Sequence, residues 1–198
     1  MCAVGFDDNC SVGTTPLYLE VPFEHRDIAK HAGAWWDPGR RQWYVPPGRE
    51  VNYPELEQWI PIQPCPPGQG RTVNVLGLPI TCYACHGDTT AVVGLDPGGH
   101  DGFATTTCCF NLKIASMLLG ASLPHGVGHI KQRRSRTARA SYLSNGCSSC
   151  DALIGEFPLG ERLAVAVVND RRDIVVLGRG EVHPLLLEAA LASAWIGG

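Results

Sequence analysis

Two CxxC pairs, CYAC at 82–85 and CSSC at 147–150, constrain this 198-residue chain more than any other feature. Two such pairs supply the four thiolates of a tetrahedral structural zinc site, and each pair fits on one tight turn. Residues 86–146 separate the pairs, whereas compact zinc ribbons have about 15–20 residues there. The spacing therefore predicts a zinc ribbon with a long insertion, in which Zn²⁺ is bound by Cys82, Cys85, Cys147 and Cys150. Two unrelated cysteine pairs are the alternative.

The residues next to the pairs leave several questions open. Gly87 and Asn145-Gly146 are predicted to adopt the unusual backbone angles of such turns. His86 could replace a cysteine in the zinc shell, and the sequence does not settle whether Cys108 or Cys109 contributes. CxxCH is also the haem-attachment string, but attachment usually needs export, so we exclude it.

Charge and hydropathy limit the class of protein. The formal net charge is −3, so the molecule as a whole is not a polybasic nucleic-acid binder. The first residues lack the basic and apolar regions of a secretory signal, and no apolar run approaches the ~20 residues of a membrane span. We therefore expect a cytoplasmic protein without a membrane partner. In that reducing compartment, clustered cysteine pairs indicate a metal site rather than disulfides.

The chain is predicted to be α+β and to have two folded parts. A tail at 1–15 precedes a small strand-helix-hairpin module at 16–61, a Pro-rich linker at 62–70 and a zinc-ribbon domain at 71–198. In the module we predict strands at 18–21 and 42–45 and helices at 24–31 and 53–60. In the second part we predict helices at 111–119 and 184–196, and strands at 71–80, 89–95, 126–136, 140–143, 163–168 and 173–177.

One segment carries a resemblance to a known family. AKHAGAWWDPGRRQWYVPPG, at 29–48, resembles a small module of unassigned function found in plasmid conjugation primases and other mobile-element DNA-processing proteins. The matching positions are Ala29, Lys30, Gly33, Ala34, Trp36, Asp37, Trp43, Tyr44, Val45 and Pro46. The resemblance implies an association with DNA metabolism and no catalytic residues. Residues 141–159 resemble a zinc-knuckle segment of uncharacterised bacterial proteins, which supports a metal site.

A basic run stands out in this acidic chain. Five cations without an acid among them fall at Lys131, Arg133, Arg134, Arg136 and Arg139. Guanidinium groups suit phosphate oxygens, so this run is predicted to bind nucleic acid. Arg40 and Arg41, at the predicted hairpin tip, are further candidates for phosphate contacts. The alternative is a solvated edge strand whose charges block aggregation.

Aromatic residues crowd the module. Trp35, Trp36, Trp43 and Tyr44 could form a stacking platform for single-stranded bases. A unit of this size has a small core, however, and needs its aromatic residues inside. We therefore expect at least Trp36 and Trp43 to be buried.

These observations favour a zinc-stabilised accessory nucleic-acid-binding protein of a plasmid, phage or other DNA-processing system, without catalysis of its own. A protein–protein adaptor that docks through the ribbon and the C-terminal helix is the first alternative. A metal-dependent nuclease using His100, Asp101 or His125 is the second. The sequence contains no recognised catalytic motif, so we expect no enzymatic activity.

Overall fold

The computed structural model describes residues 15–65, 67–98, 104–105, 109–169 and 172–194. The predicted tail, apart from residue 15, and the nuclease candidates His100 and Asp101 lie outside these ranges, as does Cys108. The described residues form helices and antiparallel sheets, so the α+β class is confirmed.

The N-terminal module is a three-stranded sheet covered by short helices. Its strands are β1 (Leu17–Leu19), β2 (Trp35–Asp37) and β3 (Gln42–Val45), in the antiparallel order β1-β3-β2. Its helices are α1 (Arg26–His31), preceded by a 3-10 turn at Phe23–His25, and α2 (Tyr53–Leu56), followed by a 3-10 turn at Glu57–Trp59. Alternation along β1 places Leu17 and Leu19 in the core and Tyr18 on the outer face.

The remainder of the chain contains two more sheets. The first has the order β10-β4-β5-β6, and the second β7-β8-β9. Their strands are β4 (Arg71–Thr81), β5 (Asp88–Asp96), β6 (Ala104–Thr105), β7 (Lys131–Ser135), β8 (Ala140–Gly146), β9 (Leu153–Ile154) and β10 (Val175–Val182). The helices are α3 (Cys109–Leu119), α4 (Glu156–Val168) and α5 (Pro184–Ala194).

One of the strand predictions was wrong, and another was too long. The segment 163–168 is the end of helix α4, in which Leu159, Leu163 and Ala166 are buried at helical spacing. An apolar run this short fits either period, and only the whole helix shows the buried stripe. The strand predicted at 126–136 begins only at Lys131, because the preceding residues form a turn that packs against the metal-site region.

The two parts of the chain share one hydrophobic core. Buried residues of α2 and its 3-10 extension, including Leu56 and Trp59, belong to the same cluster as the leucines of α5. The Tyr53 hydroxyl donates a hydrogen bond to the Glu188 carboxylate of α5, at 2.9 Å. Leu185 of α5 is fully buried, at 0% exposure. The buried apolar side chains of α5 are therefore not available to a docking partner. This arrangement argues against the C-terminal helix as an adaptor surface.

In the described part of the chain, none of the helices has the length and apolar character needed to cross a bilayer.

Candidate metal centre

The four cysteines of the CxxC pairs come together at the ends of two hairpins. The first pair lies in the turn between β4 and β5 and the second in the turn between β8 and β9. All four Sγ atoms lie within 4.8 Å of one another. Two of the Sγ–Sγ distances, Cys82 to Cys150 and Cys85 to Cys147, are 3.7 Å. Four soft donors at such distances could hold a metal ion.

The two turns are built alike, and we call them the first knuckle (82–87) and the second knuckle (147–152). In the first, the Cys82 N–H donates to the Gly87 carbonyl at 2.9 Å, and the His86 N–H donates to the Cys82 carbonyl at 3.0 Å. The second knuckle repeats both bonds, also at 2.9 and 3.0 Å. In each, the backbone N–H two residues after the first cysteine points at its sulfur, at 3.4 Å. Such N–H groups stabilise negative charge on sulfur.

The left-handed backbone positions fall on residues that sequence reasoning did not select. His86 has a φ of 58° and Asp151 a φ of 59°, each directly after the second cysteine of its pair. The two glycines that were expected to adopt such backbone angles, Gly87 and Gly146, do not have a positive φ. His86 is exposed and does not belong to the group of potential metal ligands, which consists of the four cysteines.

The thiols of the second knuckle have opposed pKa shifts. Burial alone would raise the pKa of Cys147, but backbone N–H donors of Cys150 and Ser149 and the neighbouring sulfurs lower it to about 6. For Cys150 the Ala152 backbone lowers the pKa, yet contacts with the other three sulfurs raise it to about 12. Thiolates this close repel one another, so a second negative charge is costly without a cation. The cluster is therefore suited to a bound cation.

Arg133 holds the second knuckle in place. Its guanidinium donates to the carbonyls of Ser144 at 2.7 Å, His129 at 2.9 Å and Asp151 at 3.2 Å, and it pairs with the Asp151 carboxylate. Lys131 pairs with the other oxygen of that carboxylate. Lys131 has the larger effect in lowering the pKa of Asp151, and Arg133 lowers that pKa further. With only 8% of its side chain exposed, Arg133 is engaged within the protein.

Two glycines allow this close packing. A Cβ on Gly146 would lie 2.0 Å from the Arg133 guanidinium nitrogen, and a Cβ on Gly128 would lie 2.1 Å from the Gly146 carbonyl oxygen. Both distances are far below any contact that real Cβ atoms make, so neither position accepts a side chain without movement of its neighbours. The turn before β7 therefore lies directly against the second knuckle.

Two buried polar residues connect the second knuckle to β5. The Asn145 side chain forms two hydrogen bonds with the backbone of Val92, as a neighbouring strand would. Its Oδ1 accepts from the Val92 N–H and its Nδ2 donates to the Val92 carbonyl, both at 2.9 Å. The Thr89 hydroxyl accepts from the Ser148 N–H at 3.0 Å and donates to the Gly126 carbonyl at 3.2 Å. Sequence reasoning assigned Asn145 only a turn role and missed Thr89, because these partners are distant along the chain.

The other predicted cations are more exposed. Arg134 lies on β7, and Arg136 and Arg139 lie in the turn between β7 and β8. Among the described residues, none of these three forms an ion pair. Arg41 is also exposed, while the Arg40 guanidinium lies over the Tyr18 ring, 4.6 Å from its centroid. The structure thus separates the basic run into an engaged pair, Lys131 and Arg133, and an exposed group that we call the hairpin arginines: Arg134, Arg136 and Arg139.

The expectation that Trp36 is buried was wrong. Trp36 is 48% exposed and Trp35 50% exposed, whereas Trp43 is half-buried and packs against the core. Trp36 lies on β2, one of the two edge strands, where it meets Trp43 edge to face with ring centroids 5.6 Å apart. The core of the module is filled by aliphatic residues such as Leu19 and Leu56, so it does not require the Trp36 ring inside.

The nuclease candidates gain no support from the described residues. His125 is exposed in a turn, and His100 and Asp101 lie outside the described ranges. Within those ranges, the four cysteines are the single group of His, Cys, Asp or Glu residues close enough to share a metal ion.

Comparison with known proteins assigns a relationship to the N-terminal module. Residues 17–61 match a family described as "Domain of unknown function (DUF5710)". DNA primase TraC of Escherichia coli is 48% identical over 44 residues, which cover 22% of this chain and 3% of the primase. A second Escherichia coli DNA primase TraC is 40% identical over 45 residues, which cover 23% of this chain and 4% of that primase. No solved structure matches. The chain thus shares a small part of these primases, and the predicted resemblance of its N-terminal module to a primase segment is confirmed.

Proposed function

We propose that this chain is a zinc-stabilised, non-catalytic accessory nucleic-acid-binding protein of a plasmid, phage or other DNA-processing system, acting in the cytoplasm. The observation that carries the proposal is the position of the hairpin arginines on the strand pair that leads into the second knuckle. The similarity of residues 17–61 to a segment of DNA primases supports the DNA-processing setting. The metal would be structural, and the binding surface would be organised around it.

Zinc is the proposed ion because the distances fit. A zinc–sulfur bond of about 2.3 Å in a tetrahedron requires sulfur–sulfur edges of about 3.8 Å. Two edges of the cluster, Cys82 to Cys150 and Cys85 to Cys147, are 3.7 Å. Four thiolates also close the coordination shell and leave no position for water, as in structural sites. Iron takes the same geometry in sulfur sites, so the identity of the ion needs a direct measurement.

Elemental analysis of the purified protein tests the metal assignment. We expect one zinc per chain, and we expect Cys147→Ser to lose stoichiometric zinc and to melt at a lower temperature, since site and fold form together. Cys65→Ser is the matched control, because Cys65 is a free cysteine outside the cluster. A Cys147→Ser protein that keeps full zinc would refute the four-thiolate site, and one iron per chain would refute zinc.

The proposed nucleic-acid contacts are the hairpin arginines and, in the N-terminal module, Arg40 and Arg41. Lys131 and Arg133 are less suited to phosphate, because both pair with Asp151. Each phosphate that a cation neutralises releases counterions and contributes about 0.9 to the slope of log K against log salt on duplex DNA. Three hairpin arginines would therefore account for a slope of up to about 2.7.

Fluorescence anisotropy with labelled DNA, titrated against salt, tests this surface. Replacing Arg134, Arg136 and Arg139 by Ser should weaken binding at low salt and reduce the slope by about 2. A control protein has three exposed cations on other elements replaced, namely Lys30, Lys113 and Arg162. Equal slopes for the arginine variant and the control would show that the hairpin has no specific role. No salt-dependent binding by the unmodified protein would refute the proposal.

A protein–protein adaptor remains a second candidate, on a surface different from the one first predicted. Helix α4 exposes Phe157, Val165 and Val168, at 80%, 60% and 85%. These three side chains are the apolar surface that a partner would cover. A stable partner that co-purifies, resists high salt and is lost on Phe157→Ser would favour this candidate over nucleic-acid binding.

A further inference from the structure

The outer face of the N-terminal sheet carries a row of three aromatic rings. Strand register pairs Tyr18 with Tyr44 and Tyr44 with Trp35, so one side chain from each strand stands side by side on the same face. The Tyr18 and Tyr44 ring centroids are 5.8 Å apart. Trp35 completes the row on the edge strand and is 50% exposed.

This row does not contribute to the module's core. The alternate residues of the same strands, Leu19 and Val45 among them, point to the inner face and are fully buried. The core is therefore made by the opposite side of the sheet, and an aromatic row outside it needs another explanation. Aromatic side chains aligned across a sheet offer flat surfaces on which nucleobases stack.

Two arginines frame the row. The Arg40 guanidinium lies over Tyr18, 4.6 Å from the ring centroid, and the Arg49 guanidinium lies over Trp35 at 5.4 Å. Among the described residues, neither guanidinium forms an ion pair with a carboxylate. The Asp37 carboxylate, beside the row, accepts from the Tyr18 hydroxyl at 2.9 Å and from two backbone N–H groups. Both guanidinium groups are exposed and outside any salt bridge of the described residues, so phosphates can reach them, and Arg40 also interacts electrostatically with Asp37.

We infer that this outer face, formed by Tyr18, Tyr44 and Trp35 with Arg40 and Arg49, binds single-stranded nucleic acid by stacking its bases on the rings and pairing its phosphates with the arginines. The inference rests on the proposed nucleic-acid function and deepens it, because it places Arg40, already a proposed phosphate contact, in a site that also depends on the bases. The rings, and not the charge, favour this partner over an acidic peptide, because both partners are anionic and every nucleobase has a flat face that stacks on an aromatic ring. Duplex DNA keeps its bases inside the helix, so it cannot use this face.

Binding of two single strands of equal charge tests the inference. One is a thymidine oligomer of about 12 nucleotides, and the other has the same length but abasic sugars, so that only the first can stack. We expect the full-length, zinc-loaded protein to bind the thymidine strand on the order of tenfold more tightly, with quenching of tryptophan fluorescence. Equal binding of the two strands would overturn this inference and leave the proposed arginine surface intact. Binding of neither strand nor duplex would overturn both.

Matched tryptophan variants locate the site. Trp35 and Trp36 are adjacent on β2 and similarly exposed, but lie on opposite faces. Trp35→Ala should weaken thymidine-strand binding about tenfold without changing abasic-strand binding. Trp35→Phe should retain most of the thymidine-strand binding, and Trp36→Ala should change that binding less than twofold. Circular dichroism of each variant confirms folding. Equal losses in the two alanine variants, or none in Trp35→Ala, would overturn the site, and the face would then be a candidate for a protein partner.

Discussion

Replacing Arg133 by Ala tests how the second knuckle is held, and the structure sets the size of the effect. The variant leaves the carbonyls of Ser144 and His129 without their charged donor, at about 1 kcal/mol each. It also removes the ion pair with Asp151, which is half exposed and keeps Lys131, so we count about 1 kcal/mol for it. The expected loss in the free energy of unfolding is about 3 kcal/mol, or about 6–12 °C in Tm for a chain of this size.

The assay is thermal unfolding of the zinc-saturated protein, followed by circular dichroism. Lys131→Ala is the matched control, because the Lys131 pair is exposed on both sides and should be worth less than about 1 kcal/mol. A double-mutant cycle with Asp151→Asn isolates the ion pair, and Asn is chosen because it tolerates the left-handed angles of that position. If Arg133→Ala melts within the range of Lys131→Ala, the buried donors do not stabilise the knuckle and the reasoning fails.

Three further predictions concern single side chains. Asn145→Asp places a carboxylate against the Val92 carbonyl and should cost about 2–4 kcal/mol in denaturant unfolding, and a change below 1 kcal/mol would contradict it. Gly128→Ala should lower both Tm and zinc occupancy, whereas Gly160→Ala, where the added Cβ meets nothing within 4 Å, should lower neither. The Nδ1 atom of His183 accepts a hydrogen bond from the Leu185 N–H. Burial lowers the pKa of His183 in the folded chain, so its imidazole binds a proton more tightly in the unfolded chain. Stability should therefore fall as the pH drops below about 6.5, and His183→Asn should show a smaller fall.

Features with a local sequence signal were predictable, and contacts without such a signal were not. The strand predicted at 42–45 forms as expected, and the two CxxC pairs meet although residues 86–146 lie between them. Both results follow from local chemistry: turn residues around a hairpin and repeated cysteine spacing. Helix α4 was partly misread as a strand because a short apolar run fits either period.

The structural role of Arg133 could not be predicted, because it depends on contacts that are distant along the chain. In the sequence it is one of five cations in a run, and nothing local distinguishes it from Arg134. Strand alternation turns Arg133 toward the second knuckle and Arg134 away from it, and the acid it meets lies 18 residues further along the chain. The same limit applied to Trp36, because nothing local shows that aliphatic residues distant along the chain, such as Leu56, fill the core of the module.

The engaged pair and the hairpin arginines are joined through one residue. Asp151 directly follows the last cysteine of the second knuckle, in the left-handed conformation that closes the turn. Its carboxylate holds Lys131 and Arg133 at the start of β7, and β7 leads into the turn that carries Arg136 and Arg139. A metal ion that fixes Cys150 thereby fixes Asp151, and Asp151 in turn fixes the strand. Under the proposed function the metal would not contact nucleic acid, and it would contribute to binding by keeping the hairpin arginines on an ordered hairpin.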